Sequence, residues 1–247
     1  MKSTVKTEFE RYERHIIERS IGVEGQQKIM RARVIMIGAG GLGSSAAVYL
    51  AAAGIGTLAI VDNDTVHLSN LNRQVLYMPC DISHKKVDVA AKRVFSLNPD
   101  IVVTTRDCYV DNTNVKDIIK GYDIVIDATD NLASKYLLND TCVRSHIPLV
   151  HAGVQGFIGQ IMVIAPGSSC LRCFMPNIPQ DEFTSDNPRP VVGVTAGLVG
   201  QLQAAEVLKL IIGAGDILQN TMLFVDLLTM EFKKKHVPKK ATCAICA

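Results

Sequence analysis

Two cysteine pairs, each with two residues between its members, occur in the last third of the sequence. Cys170 and Cys173 are the first and last residues of the sequence CLRC, and Cys243 and Cys246 are the first and last residues of CAIC. Four thiolates in two closely spaced pairs are typical of a tetrahedral Zn²⁺ site, and four protein ligands leave no open position for catalysis. A redox CxxC motif would explain one pair but not both. The spacing therefore predicts structural zinc bound by the C-terminal tail, about residues 236–247.

A glycine-rich stretch, GAGGLG, lies between a predicted strand and a predicted helix. Gly38, Gly40 and Gly43 match G-x-G-x-x-G, which permits a tight turn and close backbone approach to a phosphate at a helix N-terminus. Asp62 ends the next predicted strand, where a carboxylate can accept hydrogen bonds from ribose hydroxyls. The pattern predicts a ligand with ribose and phosphate, with a turn that binds nothing as the weaker alternative. Because many unrelated enzymes share it, it does not establish NAD.

Cations and amides follow this pattern more densely than hydride transfer requires. Arg73 comes soon after Asp62, and Lys86 begins the next predicted helix. The planar fork of arginine and the mobile charge of lysine together suit a triphosphate whose leaving group gains negative charge. Asn70 and Gln74 can orient phosphate oxygens without adding charge. The alternative is that Arg73 and Lys86 are ordinary surface charges.

The sequence DATDN places two more polar residues at the end of a predicted strand. Asp130 and Asn131 should face the same crevice as the glycines, because ligands of such sheets bind outside the carboxyl ends of the strands. A carboxylate beside polyphosphate predicts Mg²⁺. Asp130 could also serve as the N-cap of the following helix.

The elements that carry these residues alternate between strand and helix patterns. Buried strands are predicted at residues 33–38, 57–62, 101–107, 122–130 and 147–153, with helices between them. Beyond residue 153 we expect antiparallel strands over 157–169, a long helix over 194–213 and a hairpin over 222–235. The prediction is a single α/β domain over 1–247. Its Rossmann-like, doubly wound sheet has a parallel N-terminal half and a mixed, antiparallel C-terminal half. An amphipathic helical arm, about residues 1–30, precedes the sheet.

Composition restricts the classes of function. A net charge of +2 over 247 residues gives no reason to expect nucleic acid or membrane as a partner. The charged N-terminus has no apolar core of a secretory signal, which predicts a cytoplasmic protein. We interpret all six histidines as satisfied or surface residues, because they form no metal-binding pair or relay: His15, His67, His84, His146, His151 and His236.

Taken together, the motifs resemble the ThiF/MoeB/HesA family. The resemblance rests on RYERHI (11–16), GAGGLG, SNLNRQ (69–74), Lys86, DATDN and the cysteine pairs. Members are E1-like enzymes that adenylate the C-terminal Gly-Gly of small ubiquitin-like sulfur-carrier proteins, so the resemblance implies ATP with Mg²⁺ as the bound nucleotide. The implied catalytic residues are Arg14, Arg73, Lys86 and Asp130. The implied nucleotide-binding residues are Gly38, Gly40, Gly41, Gly43, Asp62, Asp64, Ser69, Asn70, Leu71, Asn72, Arg73, Gln74, Lys86, Asp130 and Asn131.

The resemblance also implies partners. In the family, the arginine at the position of Arg14 reaches into the partner subunit's active site, so a homodimer is expected. Because the sequence has no rhodanese-like extension, the sulfur donor should be a separate protein. The carrier and its pathway (molybdopterin, thiamin, methionine or another) are left open.

Two other classes of function agree less well with the sequence. An NAD-dependent oxidoreductase leaves Arg73, Lys86 and the zinc pairs unexplained. A non-catalytic E1-like scaffold would have lost Arg14, Arg73 or Asp130, and none is lost.

The loop over residues 174–193 contains no cysteine that could hold the carrier covalently. We interpret Cys108 and Cys142 as buried small hydrophobes and leave the role of Cys80 open. The sequence therefore predicts an enzyme that stops at the acyl-adenylate, with this loop as a cover over the carrier's tail.

Overall fold

Eight strands run through the part of the chain that the computed structural model describes, residues 9–178 and 189–247. Five of them run parallel: β1 (Arg33–Ile37), β2 (Thr57–Val61), β3 (Val102–Arg106), β4 (Ile124–Asp127) and β5 (Leu149–Gln155). The other three continue the sheet in antiparallel pairing: β6 (Ile158–Ile164), β7 (Thr221–Asp226) and β8 (Glu231–His236).

Helices cover both faces of this sheet. In chain order they are α1 (Glu13–Ile16), α2 (Gly22–Arg31), α3 (Gly41–Ala52), α4 (Lys86–Leu97), α5 (Val115–Ile119), α6 (Leu132–Ser145), α7 (Leu171–Phe174) and α8 (Gly193–Ile212). Short 3₁₀ turns occur at Glu10–Tyr12, Leu68–Asn70 and Pro79–Asp81.

The strand order determines where a ligand can bind. The strands lie in the order β3-β2-β1-β4-β5-β6-β7-β8, so the chain winds outward from β1 to β3 and then returns to β4 on the other side of β1. The ends of β1 and β4 are paired directly, Ile37 opposite Asp127. A crevice forms at such a switch point, outside the carboxyl ends of the strands. The predicted doubly wound sheet with an antiparallel C-terminal half is confirmed.

Each central strand is buried on both faces. Val34 and Met36 of β1 pack into one apolar cluster, which includes α3, α4 and α8, while Ile35 and Ile37 pack into the other, which includes α5 and α6. This division follows from the period of two along a strand. A parallel sheet covered by helices on both sides therefore produces the nearly continuous apolar runs seen in the sequence.

Two expectations about these elements were wrong. The arm was predicted as one helix, but a turn over residues 17–21 separates α1 from α2, and residues 1–8 lie outside the described part. Strand β3 was predicted to be buried, yet it pairs only with β2 at the sheet edge, and Val102 is 56% exposed.

Helix α8 is long and apolar enough, by length and composition alone, to cross a membrane. In this fold it packs against α3, β5 and β6, with Thr195, Val199 and Gln203 buried. The side chain of Ser45 on α3 donates to the carbonyl of Gly197, 2.8 Å away. The apolar composition of α8 is therefore that of a core helix.

Candidate active site

The glycine-rich turn joins β1 to α3 at the switch point. Gly38 has a φ of +99°, and a Cβ there would lie 2.5 Å from the carbonyl oxygen of Ala128. A Cβ on Gly41 would lie 2.9 Å from the side chain of Ala196 on α8. Larger residues would therefore push the turn away from β4 and α8. The glycines let the backbone approach both neighbours.

Asp62 and Tyr77 hold this turn from the side of β2. The Asp62 carboxylate accepts from the N–H of Ala39 (2.7 Å) and from that of Asp64 (2.9 Å). The Tyr77 hydroxyl donates to the carbonyl of Ala39, also at 2.7 Å. Burial and the nearby Asp62, Asp64 and Asp81 carboxylates raise the pKa of Tyr77 well above its ordinary value, so it remains a donor. Tyr77 carries no recognisable signal in the sequence.

Residues 64–86 form a loop closed at its base. The N–H of Lys86 donates to the carbonyl of Asp64 (3.1 Å), and that of Val66 donates to the carbonyl of His84 (2.9 Å). Near the tip, the Asn70 side chain accepts from the N–H of His67 at 3.0 Å and thereby caps a 3₁₀ turn. The closed base makes Lys86 a neighbour of the glycine turn despite its distance in sequence.

The two predicted cations are held by polar partners. Lys86 Nζ lies 2.6 Å from a carboxylate oxygen of Asp64, and only 6% of its side chain is exposed. Partial burial acts to raise the pKa of Asp64, but the hydrogen bond and charge of Lys86 hold it below its ordinary value. Arg73 donates to the carbonyl of Ser69 (2.8 Å) and to the Asn72 side chain (3.1 Å). Both cations are therefore oriented by the protein itself.

These residues line one cleft of about 700 Å³ at the carboxyl ends of the strands. Predicted site residues in its wall are Gly38, Gly40, Gly41, Asp62, Asp64, Arg73, Gln74, Lys86, Asp130 and Asn131. Gly43, Ser69, Asn70, Leu71 and Asn72 are not in the wall but belong to α3 and to the 64–86 loop behind it. Arg14 is exposed on α1 and does not line the cleft of its own chain.

Two roles were suggested for Asp130, helix N-cap and Mg²⁺ ligand, and the first belongs to Asn131 instead. Asn131, rather than Asp130, is the N-cap of α6, since its side chain accepts from the N–H of Ser134 at 2.8 Å. Among the described residues, the exposed Asp130 carboxylate accepts only a long contact from Asn131, 3.5 Å. It is free to act as a ligand, and a carboxylate beside phosphate oxygens fits Mg²⁺.

The four paired cysteines meet on the opposite face of the sheet from α8. Their sulfur atoms all lie within 4.8 Å of one another, with 3.7 Å between Cys170 and Cys243 and 3.3 Å between Cys173 and Cys246. Zinc–sulfur bonds of about 2.3 Å in a tetrahedron place sulfurs about 3.8 Å apart. The N–H of Lys240 also points at the Cys173 sulfur, 3.4 Å away. This buried cluster fits zinc.

Residues around the cysteine cluster tie it to α6. Arg172 makes a bidentate ion pair with Asp140, with two contacts of 2.8 Å, and its guanidinium lies over the ring of Tyr136. The N–H of Leu171 donates to the Asn139 side chain at 2.8 Å. No sequence motif indicates these contacts, which orient the CLRC turn.

Comparison with known proteins identifies the family of the chain. Residues 12–245 match the ThiF family. The chain belongs to this family. The resemblance predicted from the motifs is thereby confirmed over nearly the whole chain.

The relatives and the solved structures agree. The chain is 41% identical to the SAMP-activating enzyme E1 of Haloferax volcanii, covering 97% of this chain and 89% of that protein. It is 39% identical to the sulfur carrier protein ThiS adenylyltransferase of Escherichia coli, with 97% and 95% covered. The crystal structure of E. coli MccB shares the fold, with a TM-score of 0.85 at 23% identity over 96% of this chain and 72% of that one.

The cysteines outside the pairs lie in three different environments of this ThiF-family fold. Cys142 is buried, which raises the pKa of its thiol and confirms the interpretation as a small hydrophobe. Cys108 was interpreted in the same way, but it is only half-buried and lines the cleft, because it lies two residues beyond the end of the edge strand β3. Cys80 is exposed.

One histidine is neither a surface residue nor fully satisfied. His151 is buried on β5, where the parallel register places it beside Asp127 of β4. Its Nδ1 lies 2.7 Å from Asp127, whereas its Nε2 has no partner in the described part of the chain. Lys135 of α6 completes a buried cluster that no sequence motif announced.

Proposed function

We propose that this chain adenylates the C-terminal carboxylate of a small ubiquitin-like sulfur-carrier protein that ends in Gly-Gly, with ATP as the second substrate. The observation that carries the proposal is the single cleft in which the glycine turn, Arg73, Lys86 and Asp130 meet. Relatives near 40% identity are adenylyltransferases or carrier-activating enzymes, and at this level the predicted reaction is confirmed.

In the proposed reaction the carrier's carboxylate attacks the α-phosphorus of ATP. The bond from that phosphorus to the bridging oxygen breaks, and its electrons leave with pyrophosphate. The nucleophile is already an anion, so no general base is needed, and catalysis consists of positioning and charge stabilisation.

Each cleft residue has a role in that reaction. The glycine turn binds phosphate through backbone N–H groups, and Asp62 accepts from the ribose hydroxyls. Arg73 and Lys86 stabilise the charge that develops on the leaving phosphates. Asp130 would hold Mg²⁺, which offsets phosphate charge when bound. The four-cysteine cluster would hold structural Zn²⁺, because four protein ligands leave no position for a substrate.

The assembly remains a prediction. We expect a homodimer in which Arg14 acts in the partner's cleft, because Arg14 is exposed and does not line the cleft of its own chain. A separate protein would donate the sulfur. A cytoplasmic location is likewise a prediction from the sequence.

We further expect the enzyme to stop at the acyl-adenylate. Residues 179–188 of the cysteine-free loop lie outside the described part, so its role as a cover stays a prediction from sequence. Because Cys108 lines the cleft and Cys80 is exposed, both need testing. Non-reducing mass spectrometry after incubation with ATP and carrier should find no adduct, and an adduct on either cysteine would contradict the expectation.

The decisive test is carrier-dependent exchange between ATP and labelled pyrophosphate. A pull-down with the purified chain should first identify its Gly-Gly partner. Exchange should require that partner, and a partner lacking the two terminal glycines is the matched control. Calorimetry should show tighter binding of ATP with Mg²⁺ than of NAD. NAD binding of equal affinity, together with absent exchange, would favour the oxidoreductase alternative, and absent exchange with normal carrier binding would favour the scaffold.

A further inference from the structure

A buried ionic cluster lies directly under the turn that carries Asp130. Asp127, the last residue of β4, is fully buried three residues before Asp130. Its Oδ1 accepts from the N–H (3.1 Å) and the hydroxyl (2.6 Å) of Thr129, which folds the turn back onto the carboxylate. Lys135 Nζ lies 3.3 Å from the same oxygen, and His151 Nδ1 lies 2.7 Å from the other. The conformation of the turn therefore depends on this one carboxylate.

The cluster also connects α6 with β5, two elements whose residues line the cleft. Lys135, on α6, donates to the carbonyl of Ala152 on β5 at 2.6 Å. The residues just beyond, Gly153–Gln155, line the same cleft as Asp130, and Lys135 itself also lines it. From the other face of the sheet, Gln203 donates to the carbonyls of Asp127 (2.8 Å) and Val150 (3.0 Å). Movement of any member would shift Asp130 relative to β5.

Stability alone gives no reason for this arrangement. Burying an ion pair costs desolvation energy, and apolar residues of similar volume are often equally or more stabilising. The Nε2 of His151 and the Oε1 of Gln203 are buried without a hydrogen-bond partner in the described part of the chain. Buried unpaired polar atoms are unfavourable, so the cluster keeps a geometry that burial by itself would not select.

The charge state of the cluster follows from its surroundings. Burial acts to raise the pKa of Asp127, but Lys135, His151 and Thr129 together lower it to about 2. Burial lowers the pKa of His151 despite the neighbouring carboxylate. Cys142 of α6, close enough to sense the Asp127 charge, has its pKa raised by burial and stays a neutral thiol. At neutral pH the Asp127 carboxylate is thus ionised, and it accepts from the Nδ1–H of a neutral His151 imidazole.

We propose that Asp127, Lys135 and His151 are positioning residues, which hold the 127–131 turn so that the Asp130 carboxylate meets Mg²⁺ on the bound nucleotide. This inference rests on the proposed function, since it gives Asp130 the metal-binding role. Residues that orient a metal ligand typically change metal affinity by about 10–100-fold when they are replaced.

The test compares three changes within the cluster with one outside it. Lys135→Met removes the cation, and His151→Leu removes the donor to Asp127. His151→Asn retains a donor near the position of Nδ1 but cannot titrate. Lys209→Met is the matched control, because Lys209 on α8 pairs with Glu206 and with the carbonyl of Asp216 (2.7 Å) and does not line the cleft.

Calorimetry should measure ATP binding at increasing Mg²⁺, and again in EDTA. We expect Lys135→Met and His151→Leu to raise the Mg²⁺ concentration at half-maximal binding about tenfold or more. Binding in EDTA should change less than twofold. His151→Asn and Lys209→Met should resemble the unmodified protein. Circular dichroism confirms folding, and if Lys135→Met does not fold, the two His151 variants still decide the question.

An unchanged Mg²⁺ requirement in folded His151→Leu, or an equal shift in Lys209→Met, would overturn the inference. Pyrophosphate exchange by the unmodified protein separates this failure from failure of the proposed function. Normal exchange without the Mg²⁺ shift contradicts only the positioning role. Absent exchange with the shift present contradicts carrier adenylation but leaves the positioning role intact.

Discussion

The nucleotide cleft and the cysteine cluster each bring distant residues to one point, but they do so by different means. The cleft collects its residues at the ends of β1, β2 and β4, and protein partners such as Asp64 for Lys86 orient them. The cysteine cluster joins two short turns that lie 73 residues apart in sequence, through their sulfur atoms. In the cleft the fold positions the side chains that would act in the reaction, whereas in the cysteine cluster a bound metal would stabilise the fold.

This difference predicts opposite consequences of mutation. Loss of a partly exposed cleft side chain such as Arg73 should reduce the rate and leave stability unchanged, because that side chain is available to a ligand. Loss of a cysteine should reduce stability, because the tail that it holds contributes Ile245 to the apolar packing below the sheet. Four experiments can break or sharpen this contrast.

The largest effect is expected for Arg73→Ala. Removing a donor that stabilises developing charge typically costs at least about 100-fold in rate, and we expect that loss in pyrophosphate exchange. The melting temperature should not change, because within residues 9–178 and 189–247 Arg73 donates hydrogen bonds only to Ser69 and Asn72 of its own loop. Arg31→Ala, which changes an exposed arginine of α2, is the control. A fall in stability large enough to account for the lost rate would contradict the contrast.

For the cysteine cluster, Cys173→Ser should act in the opposite way. We expect one zinc per chain and a loss of unfolding free energy of about 4 kcal/mol, the value for a ligand a thousandfold above its dissociation constant. Metal analysis and urea unfolding measure the two quantities. Turnover per folded molecule should fall by a smaller fraction than the free energy of unfolding does. The exposed Cys80→Ser is the control. Protein prepared without chelators that contains no zinc would refute the assignment.

A subunit-mixing experiment tests whether the cleft is completed by a second chain. Neither Arg14→Ala nor Asp130→Ala alone should support exchange. In a mixed dimer, one cleft has both an intact Asp130 and an intact partner arginine, so about half of the normal activity should return. Native mass spectrometry verifies the exchange of subunits. Confirmed mixed dimers without activity would place Arg14 in the reaction of its own chain, whereas an active Arg14→Ala protein would place it outside catalysis.

The smallest effect concerns the acid stability of the buried cluster. The pKa of His151 is lowered in the folded chain, so only the unfolded chain takes up this proton as pH falls through about 6.5. His151 therefore contributes stability above that pH, and the contribution is lost on acidification toward its lower folded value. Asp127, with its pKa at about 2, adds a second loss below about pH 3.8.

Urea unfolding between pH 7 and pH 4.5 should show a smaller loss for His151→Asn than for the unmodified chain, since asparagine does not titrate. The matched control is His84→Asn, at an exposed position. Parallel curves for the His151 variant and the unmodified chain would mean that folding does not change the pKa of His151 and would contradict the lowered pKa.

Much of the site could be predicted because its signals are local. Gly38, Gly41 and Gly43 lie within one turn, where a strand-to-helix connection dictates their type. The CxxC spacing is equally local, and apolar runs of three or four residues marked the buried strands. Tyr77, Lys135 and Cys108 carried no such signal, because their partners belong to other segments of the chain.

The sequence by itself thus determined the doubly wound fold, the family, the glycine turn and the four cysteines, since each depends on spacing within a few residues. Only the tertiary structure decided that β3 is an exposed edge, that Asn131 rather than Asp130 caps α6, and that Cys108 lines the cleft. It also paired Asp127 with His151, because strand register is set by packing across the whole sheet. Buried charges are satisfied by whatever the fold brings beside them, and that pairing has no period along the chain.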